Sequence, residues 1–238
     1  MFDDCTGVYR DSLADADPSL PLVINGWIGD TNGVAMRLPV GDNVHYCGVH
    51  VAQGHFHGYG YDRVIGVRDP YSEAKLKRLG LNAMLIGCAT LLFRPYVGPR
   101  AGEYSVECDG PGRMLTHVID GEMPWSNQWR RAVELLDIYK RASMVYTRKQ
   151  HAALPCLAFG TPVTFLGQLD DERFSILRWL RVQPSNCIAG VDLSTVRNVF
   201  VRFVEGCLGR RLTLGEPQFP PAREWFGGML RRQSATLA

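Results

Sequence analysis

One stretch of the chain, residues 145–163, constrains the fold more than any other. It reads VYTRKQHAALPCLAFGTPV, which predicts a short strand, a basic turn, a short helix that ends at Gly160, and a second strand. The basic turn falls where the helix begins, and the free N–H groups and positive dipole end of a helix N-terminus bind anions. His151 adds an imidazole that can move a proton near neutral pH. The stretch therefore predicts a site for chemistry on a phosphorylated acid.

A second stretch has the same strand–helix–strand pattern. Residues 64–67 predict a strand, Asp69 can cap a helix, Pro70 suits the first helical position, and Gly80 suits the position just past the helix end. Residues 82–93 then predict a buried strand. Strands and helices that alternate at this spacing are typical of a parallel sheet, so the sequence predicts an α/β fold.

The remaining periodic segments divide the chain into three predicted parts. Further strands are predicted at 20–24, 45–51, 104–108 and 114–119, and further helices at 127–142, 172–182, 193–204 and 222–233. Residues 94–102 carry two prolines and two glycines and are interpreted as a linker. The predicted domains are an N-terminal α/β half over 1–102, a C-terminal Rossmann-like half over 103–190, and a helical tail over 191–238.

The composition excludes several classes of protein. The chain has 238 residues, of which 46% are hydrophobic and 21% charged, as expected for a globular protein with a core. The formal net charge of +2 gives no nucleic-acid footprint, and no apolar run approaches the roughly 20 residues of a membrane helix. The acidic N-terminus lacks a signal-peptide pattern, and the seven cysteines form no C-x-x-C pair. These features predict a cytoplasmic protein with free thiols.

Three segments carry a family resemblance. Residues 147–163 resemble the "T-S-R-L-H-A-A-x-P-x-x-A-x-G-x-P-V" segment of polysaccharide pyruvyl transferases. Residues 22–27 are similar to the Asn-Gly-Trp strand end of that family. Residues 65–91 are similar to its "G-x-R-D … L-x-x-x-G … S-G-C-x-T-L" block. The segments follow one another in the family's order.

The resemblance implies a fold and an activity. The fold would be two Rossmann-like halves that face each other across a cleft, as in GT-B glycosyltransferases. Only about twenty residues precede the Asn-Gly-Trp segment, so we expect a reduced N-terminal half. The activity would be transfer of pyruvate from phosphoenolpyruvate to two hydroxyls of a sugar or lipid-linked glycan, which forms a ketal. Phosphoenolpyruvate would be a co-substrate, with no other cofactor.

The resemblance also assigns roles to residues of the two α/β stretches. His151 stands at the family's histidine and would be the general acid or a phosphate ligand. Arg68 stands at the arginine that follows a strand, and Lys149 stands where the family usually has arginine. Arg148 would compensate for the guanidinium that Lys149 lacks, and His50 resembles a histidine of the second strand. A helix-start histidine, a solvated basic turn and a surface ion pair explain the same residues without function.

Further residues complete the predicted site. Asn25, Gly26 and Trp27 would line the cleft, although a turn and a core tryptophan explain them almost as well. No metal is predicted, because His45, His50, His55 and His57 match no zinc-ligand spacing.

Two other functions stay open on the sequence alone. One is a GT-B glycosyltransferase that uses a nucleotide sugar, and the other is a non-catalytic relative that binds glycan. The arginines and aromatic residues of segment 222–233 could contact a membrane surface, which would place the protein at the inner face of the membrane, or could pack against the body of the protein. The sequence does not give the oligomeric state.

Overall fold

A computed structural model of the chain describes residue 17 and residues 19–29, 41–52, 63–117 and 124–213. The first of its two sheets has four strands, all parallel and in chain order. They are β1 (Leu22–Ile28), β2 (Val44–Val51), β3 (Ile65–Val67) and β4 (Ala83–Leu85). Helix α1 (Pro70–Arg78) connects β3 to β4, so the predicted parallel strand–helix–strand unit is confirmed.

The second sheet has five strands in the order β6-β5-β7-β8-β9. They are β5 (Glu103–Val106), β6 (Arg113–Leu115), β7 (Met144–Thr147), β8 (Val163–Phe165) and β9 (Cys187–Ile188). All neighbours are parallel except β8 and β9, which are antiparallel. Sheets dominated by parallel pairs, with helices between the strands, confirm the predicted α/β class.

Four more helices follow α1 in the part of the chain that the structure describes. They are α2 (Trp125–Arg141), α3 (Gln150–Phe159), α4 (Ser175–Trp179) and α5 (Ser194–Leu208), and short 3-10 turns lie at Ala89–Leu92 and Glu172–Phe174. The predicted ends of α1 and α3 are found: the Asp69 carboxylate caps α1 by accepting from the Ser72 N–H, and Gly160 closes α3 in a left-handed conformation. The predicted helix 222–233 lies outside the described residues.

Four predictions of secondary structure were wrong in extent. The strand predicted over 82–93 ends at Leu85, because the chain turns at Gly87, whose φ of 89° favours glycine. A side chain there would also collide with Val196. The strands predicted over 104–108 and 114–119 end at Val106 and Leu115, and the helix predicted over 172–182 is a 3-10 turn followed by α4.

Helix α5 lies in the predicted tail but packs on the first sheet. Its Phe200 and Val204 are buried with Cys47 and Ile86. The Arg197 guanidinium donates to the carbonyl oxygens of Leu91, Phe93 and Ala158, which ties α5 to the segment after β4 and to the end of α3. The division of the chain at residues 102 and 190 stays a prediction, but α5 belongs by packing to the first sheet.

Candidate functional site

Helix α3 begins directly after β7 with an uncapped N-terminus. Lys149 is its N-cap residue, and no side chain of the described part of the chain caps the helix. The Lys149 N–H donates to the Thr147 hydroxyl at 2.9 Å, which holds the basic turn in place. The first N–H groups of α3 and its positive dipole end are therefore available to an anion.

Arg68 reaches this helix from the other sheet. It follows β3 and is only 5% exposed, and its Nε lies 3.2 Å from the Asp69 carboxylate. The Gln150 amide, oriented to satisfy both of its neighbours, accepts from Arg68 Nη2 at 3.2 Å and donates to the Arg173 carbonyl oxygen. These bonds place a guanidinium next to the first turn of α3.

Asp69 is the buried centre of this contact. It is 0% exposed, and it accepts from the Ser72 N–H at 2.9 Å, the Ser175 hydroxyl at 2.8 Å and His50 Nδ1 at 2.7 Å. Burial by itself raises the pKa of the carboxyl, but the hydrogen bonds from His50, Ser72 and Ser175 outweigh burial and the pKa is lowered. Asp69 therefore stays ionised and joins α1, β2 and α4.

His50 faces Asp69 with one ring nitrogen and leaves the other without a partner. The side chain is 0% exposed, and no described residue forms a hydrogen bond with Nε2. Because an ionised carboxylate only accepts hydrogen bonds, Nδ1 of His50 carries the hydrogen in the bond to Asp69. A buried nitrogen without a partner is costly, so His50 Nε2 is an unused hydrogen-bonding atom in this part of the structure.

His151 lies on the first turn of α3, exposed to solvent yet closely surrounded by cations and protein. Desolvation lowers its pKa most, followed by the charge of Arg68 and the nearby imidazoles of His117 and His50, and the pKa is about 4. The imidazole is therefore neutral at neutral pH in the protein without ligands. The neighbouring Gln150 bonds to Arg68 of the first sheet, and the His117 ring centroid of the second sheet lies 6.3 Å from that of His151, so residues from both sheets lie near this side chain.

Lys149 is held by a residue that sequence reasoning missed. Its Nζ lies 2.6 Å from Oε2 of Glu107, the residue directly after β5. Oε1 of the same carboxylate accepts from the His117 N–H at 2.7 Å and from the Thr116 hydroxyl at 3.2 Å. Glu107 has a φ of 46°, in the left-handed region that costs a non-glycine residue free energy, which is a common feature of functional sites.

His117 was missed as well. It follows β6, its Nδ1 lies 3.0 Å from the Tyr139 hydroxyl, and its ring centroid lies 6.3 Å from that of His151. Glu107 and His117 both follow the end of a strand, as Arg68 and Lys149 do. The same rule could have found them, had β5 and β6 not been predicted to continue to residues 108 and 119.

The other predicted residues lie in different surroundings. Arg148 is exposed, and its charge acts on Cys108, where it opposes the rise in thiol pKa that burial causes. Asn25 Nδ2 donates to the carbonyl oxygens of Cys47 at 2.6 Å and Gly48 at 3.0 Å, where the pairing of β1 and β2 is interrupted. Asn25 therefore has a structural role in the sheet.

Gly26 and Trp27 pair with β2 at and next to His50. Trp27 is the β1 residue paired with His50 of β2, and it is 37% exposed. Gly26 pairs with Val49, and a Cβ added there would meet no atom within 4 Å. The indole is thus the exposed neighbour of the buried imidazole.

Two further properties of the described residues bear on function. They contain no group of three or more His, Cys, Asp or Glu residues arranged to hold a metal ion. No helix among them is long and apolar enough to cross a membrane.

The structure is that of an α/β protein. Its cations, imidazoles and uncapped helix N-terminus follow the carboxyl ends of parallel strands, which is where ligands of α/β proteins usually bind. The family model for polysaccharide pyruvyl transferase matches residues 58–170, which include Arg68, Glu107, His117, Lys149 and His151. This match confirms the resemblance to that family, over a range that includes segments 65–91 and 147–163 and leaves out segment 22–27. The family's name describes a transferase that modifies polysaccharide, so the match supports a transferase activity and a glycan acceptor. Searches of curated proteins and of solved structures each found no match.

Proposed function

We propose that this protein transfers the pyruvyl group of phosphoenolpyruvate to two hydroxyls of a sugar in a glycan precursor. The observation that carries the proposal is the meeting of Arg68, the uncapped start of α3 and His151, all within the segment that the family model matches. The donor carries a phosphate and a carboxylate. It needs cations and N–H donors at fixed positions, with a proton donor beside them.

The two basic residues have different suitability for the donor. Arg68 has five N–H donors, and its contacts with Asp69 and Gln150 use two of them in a rigid arrangement. A guanidinium held in this way suits bidentate binding of a phosphate or carboxylate. Lys149 is more exposed and offers a point charge, and its ion pair with Glu107 has to be shared with or displaced by the donor.

The reaction needs one proton at carbon and releases one phosphate. Protonation of the donor's methylene carbon by His151 makes a methyl group and leaves a cation at C2, which a sugar hydroxyl attacks as it loses its own proton. The second hydroxyl then attacks C2, the C2–O bond to phosphate breaks, and the second hydroxyl's proton leaves with the phosphate. The products are a cyclic ketal and inorganic phosphate. Arg68 and the start of α3 hold the charge of the leaving phosphate.

The proposal also covers the arrangement of the two sheets, the co-substrate and the acceptor. The two sheets would face each other as the halves of a GT-B fold, with the donor between their strand ends. Phosphoenolpyruvate would be the co-substrate, and cations of the protein would neutralise it without a metal or another cofactor. The acceptor would be a sugar on a lipid-linked or nucleotide-linked precursor, used in the cytoplasm at the inner face of the membrane.

The test combines donor binding with product detection. The protein is titrated with phosphoenolpyruvate by calorimetry, and then incubated with the donor and a panel of methyl glycosides that have two neighbouring hydroxyls. We expect phosphate release together with a new ketal methyl signal in the proton NMR spectrum. Arg68→Lys should weaken donor binding, whereas Arg141→Lys, which changes an exposed arginine of α2, should not.

Two outcomes would replace the proposal. Binding of a nucleotide sugar but not of phosphoenolpyruvate would indicate a glycosyltransferase. Binding of a glycan with neither donor binding nor turnover would indicate a non-catalytic relative.

A further inference from the structure

His117 is held from two sides by residues outside the predicted site. Its backbone N–H donates to Glu107 Oε1 at 2.7 Å, and its ring Nδ1 lies 3.0 Å from the hydroxyl of Tyr139. The same Glu107 carboxylate holds Lys149 through its other oxygen. One carboxylate thus fixes both the lysine and the histidine of this edge of the sheet.

The contact with Tyr139 determines which nitrogen of His117 carries the hydrogen. Tyr139 is 1% exposed, and burial raises the pKa of its hydroxyl, so the hydroxyl keeps its proton. No other acceptor for this proton is found among the residues that the structure describes. If the hydroxyl accepted from Nδ1–H, its own hydrogen would be buried without a partner, which is unfavourable. Tyr139 therefore donates to Nδ1, and the hydrogen of the neutral ring is on Nε2.

We propose that His117 is a donor-binding residue whose Nε2–H binds the phosphate or carboxylate of the donor beside His151. The proposal rests on the proposed function, because it names a further contact of the same donor site. The two rings are 6.3 Å apart between centroids and tilted by 36°, which leaves room for oxygens of one anion to reach both. The two histidines divide the work: His117 gives a hydrogen bond from a fixed tautomer, and His151 gives the proton. Tyr139 acts as a positioning residue through His117.

The first test reads the tautomer in the free protein. Nitrogen chemical shifts from NMR of labelled imidazoles distinguish Nδ1–H from Nε2–H. We expect the wild-type His117 to be the Nε2–H tautomer, and Tyr139→Phe, which removes one hydroxyl from a buried ring, to give a mixture of tautomers. An Nδ1–H tautomer in the wild type would overturn the inference, as would a tautomer that Tyr139→Phe leaves unchanged.

The second test reads binding with a matched pair of variants. The amide nitrogen of Gln lies near the position of histidine Nε2, and that of Asn lies near Nδ1. His117→Gln should therefore keep most of the affinity for phosphoenolpyruvate and for inorganic phosphate, and His117→Asn should bind both about ten- to hundredfold more weakly. Amide NMR spectra of both variants check that they are folded.

The outcomes separate this inference from the proposed function. If the wild type binds phosphoenolpyruvate and His117→Asn binds it equally well, the inference is wrong and the proposed function stands. If the wild type does not bind phosphoenolpyruvate, the proposed function fails, and inorganic phosphate then decides the inference. A phosphate-induced shift of the His117 Nε2 signal would support an anion contact, and no shift would overturn it.

Discussion

Binding of the anionic donor is expected to put a proton on His151. In the protein without ligands, burial, the charge of Arg68 and the nearby imidazoles of His117 and His50 hold the pKa of His151 at about 4. At pH 7 only about one molecule in a thousand then has this imidazole protonated. A general acid needs its proton before the reaction, so the donor itself has to supply the stabilisation. The perturbation to study is therefore the addition of phosphoenolpyruvate.

The charge of the donor can supply the free energy that protonation of His151 requires. A rise in pKa from about 4 to about 7 corresponds to about 4 kcal/mol. His151 is exposed to solvent, so screening reduces the free energy that each charge of the donor contributes. One unit charge about 4 Å away near a protein surface contributes about 4 kcal/mol. A donor with a phosphate and a carboxylate thus carries enough charge to protonate the imidazole.

Calorimetry in several buffers measures the proton directly. The heat of donor binding is recorded at pH 7.5 in buffers of different ionisation enthalpy, and the slope of heat against that enthalpy gives the number of protons taken up. With the pKa of His151 raised to about 7, we expect the wild type to take up about a quarter of a proton at this pH and His151→Gln to take up close to none. His45→Gln changes a histidine of β2 outside the site and should leave the uptake as in the wild type. Equal uptake by the wild type and His151→Gln would refute the reasoning and return His151 to a helix-start role.

Four further outcomes are expected. The folded-state pKa of His151 lies below its usual value of 6.5, so the unfolded state binds more protons between about pH 4 and 6.5. The free energy of unfolding, measured by urea titration, should therefore fall as the pH decreases through this window. In His151→Gln it should fall less. Lys149→Ala should weaken donor binding about tenfold with a smaller loss of kcat, and Lys149→Arg should keep or raise the affinity for the donor. Unchanged donor dissociation constants in calorimetry would show that Lys149 is not part of the site. Asp69→Ala should lower the free energy of unfolding by about 3–5 kcal/mol, whereas Asp137→Ala at an exposed ion pair should lower it by less than about 1 kcal/mol; similar losses in urea titrations of the two would contradict the buried network. Turnover should persist after removal of divalent ions by a chelator; loss of turnover, restored by one divalent ion, would show a metal requirement.

Local signals in the sequence predicted the first α/β unit well. Asp69, Pro70 and Gly80 mark the ends of α1 by their own backbone and capping preferences, so no long-range information was needed. The strand predicted after α1 was too long because a run of apolar residues is compatible with both a strand and buried irregular chain. In the structure, Gly87 turns this run into a 3-10 turn under α5.

The rest of the site was not predicted from the sequence, because it depends on the long-range pairing of strands. Glu107 and His117 come together because β5 and β6 are parallel neighbours joined by only a short loop, whereas parallel strands usually need a long crossover. The partnership of His50 with Asp69 depends on the pairing of β2 with β3. Such contacts follow from the packing of whole strands, and the residues that make them carry no local pattern of their own.

The buried bonds between the two sheets have a consequence for how the donor enters and leaves. The Ser175 hydroxyl bonds to Asp69, Gln150 bonds to Arg68, and α5 carries Arg197 across to the carbonyl oxygens of Leu91 and Ala158. Opening the sheets like a hinge would expose or orphan these polar groups, which is unfavourable for each one. The proposed donor site would therefore be set before any substrate arrives. Donor and phosphate would then exchange through the solvent-exposed side at His151, with the spacing between the sheets unchanged.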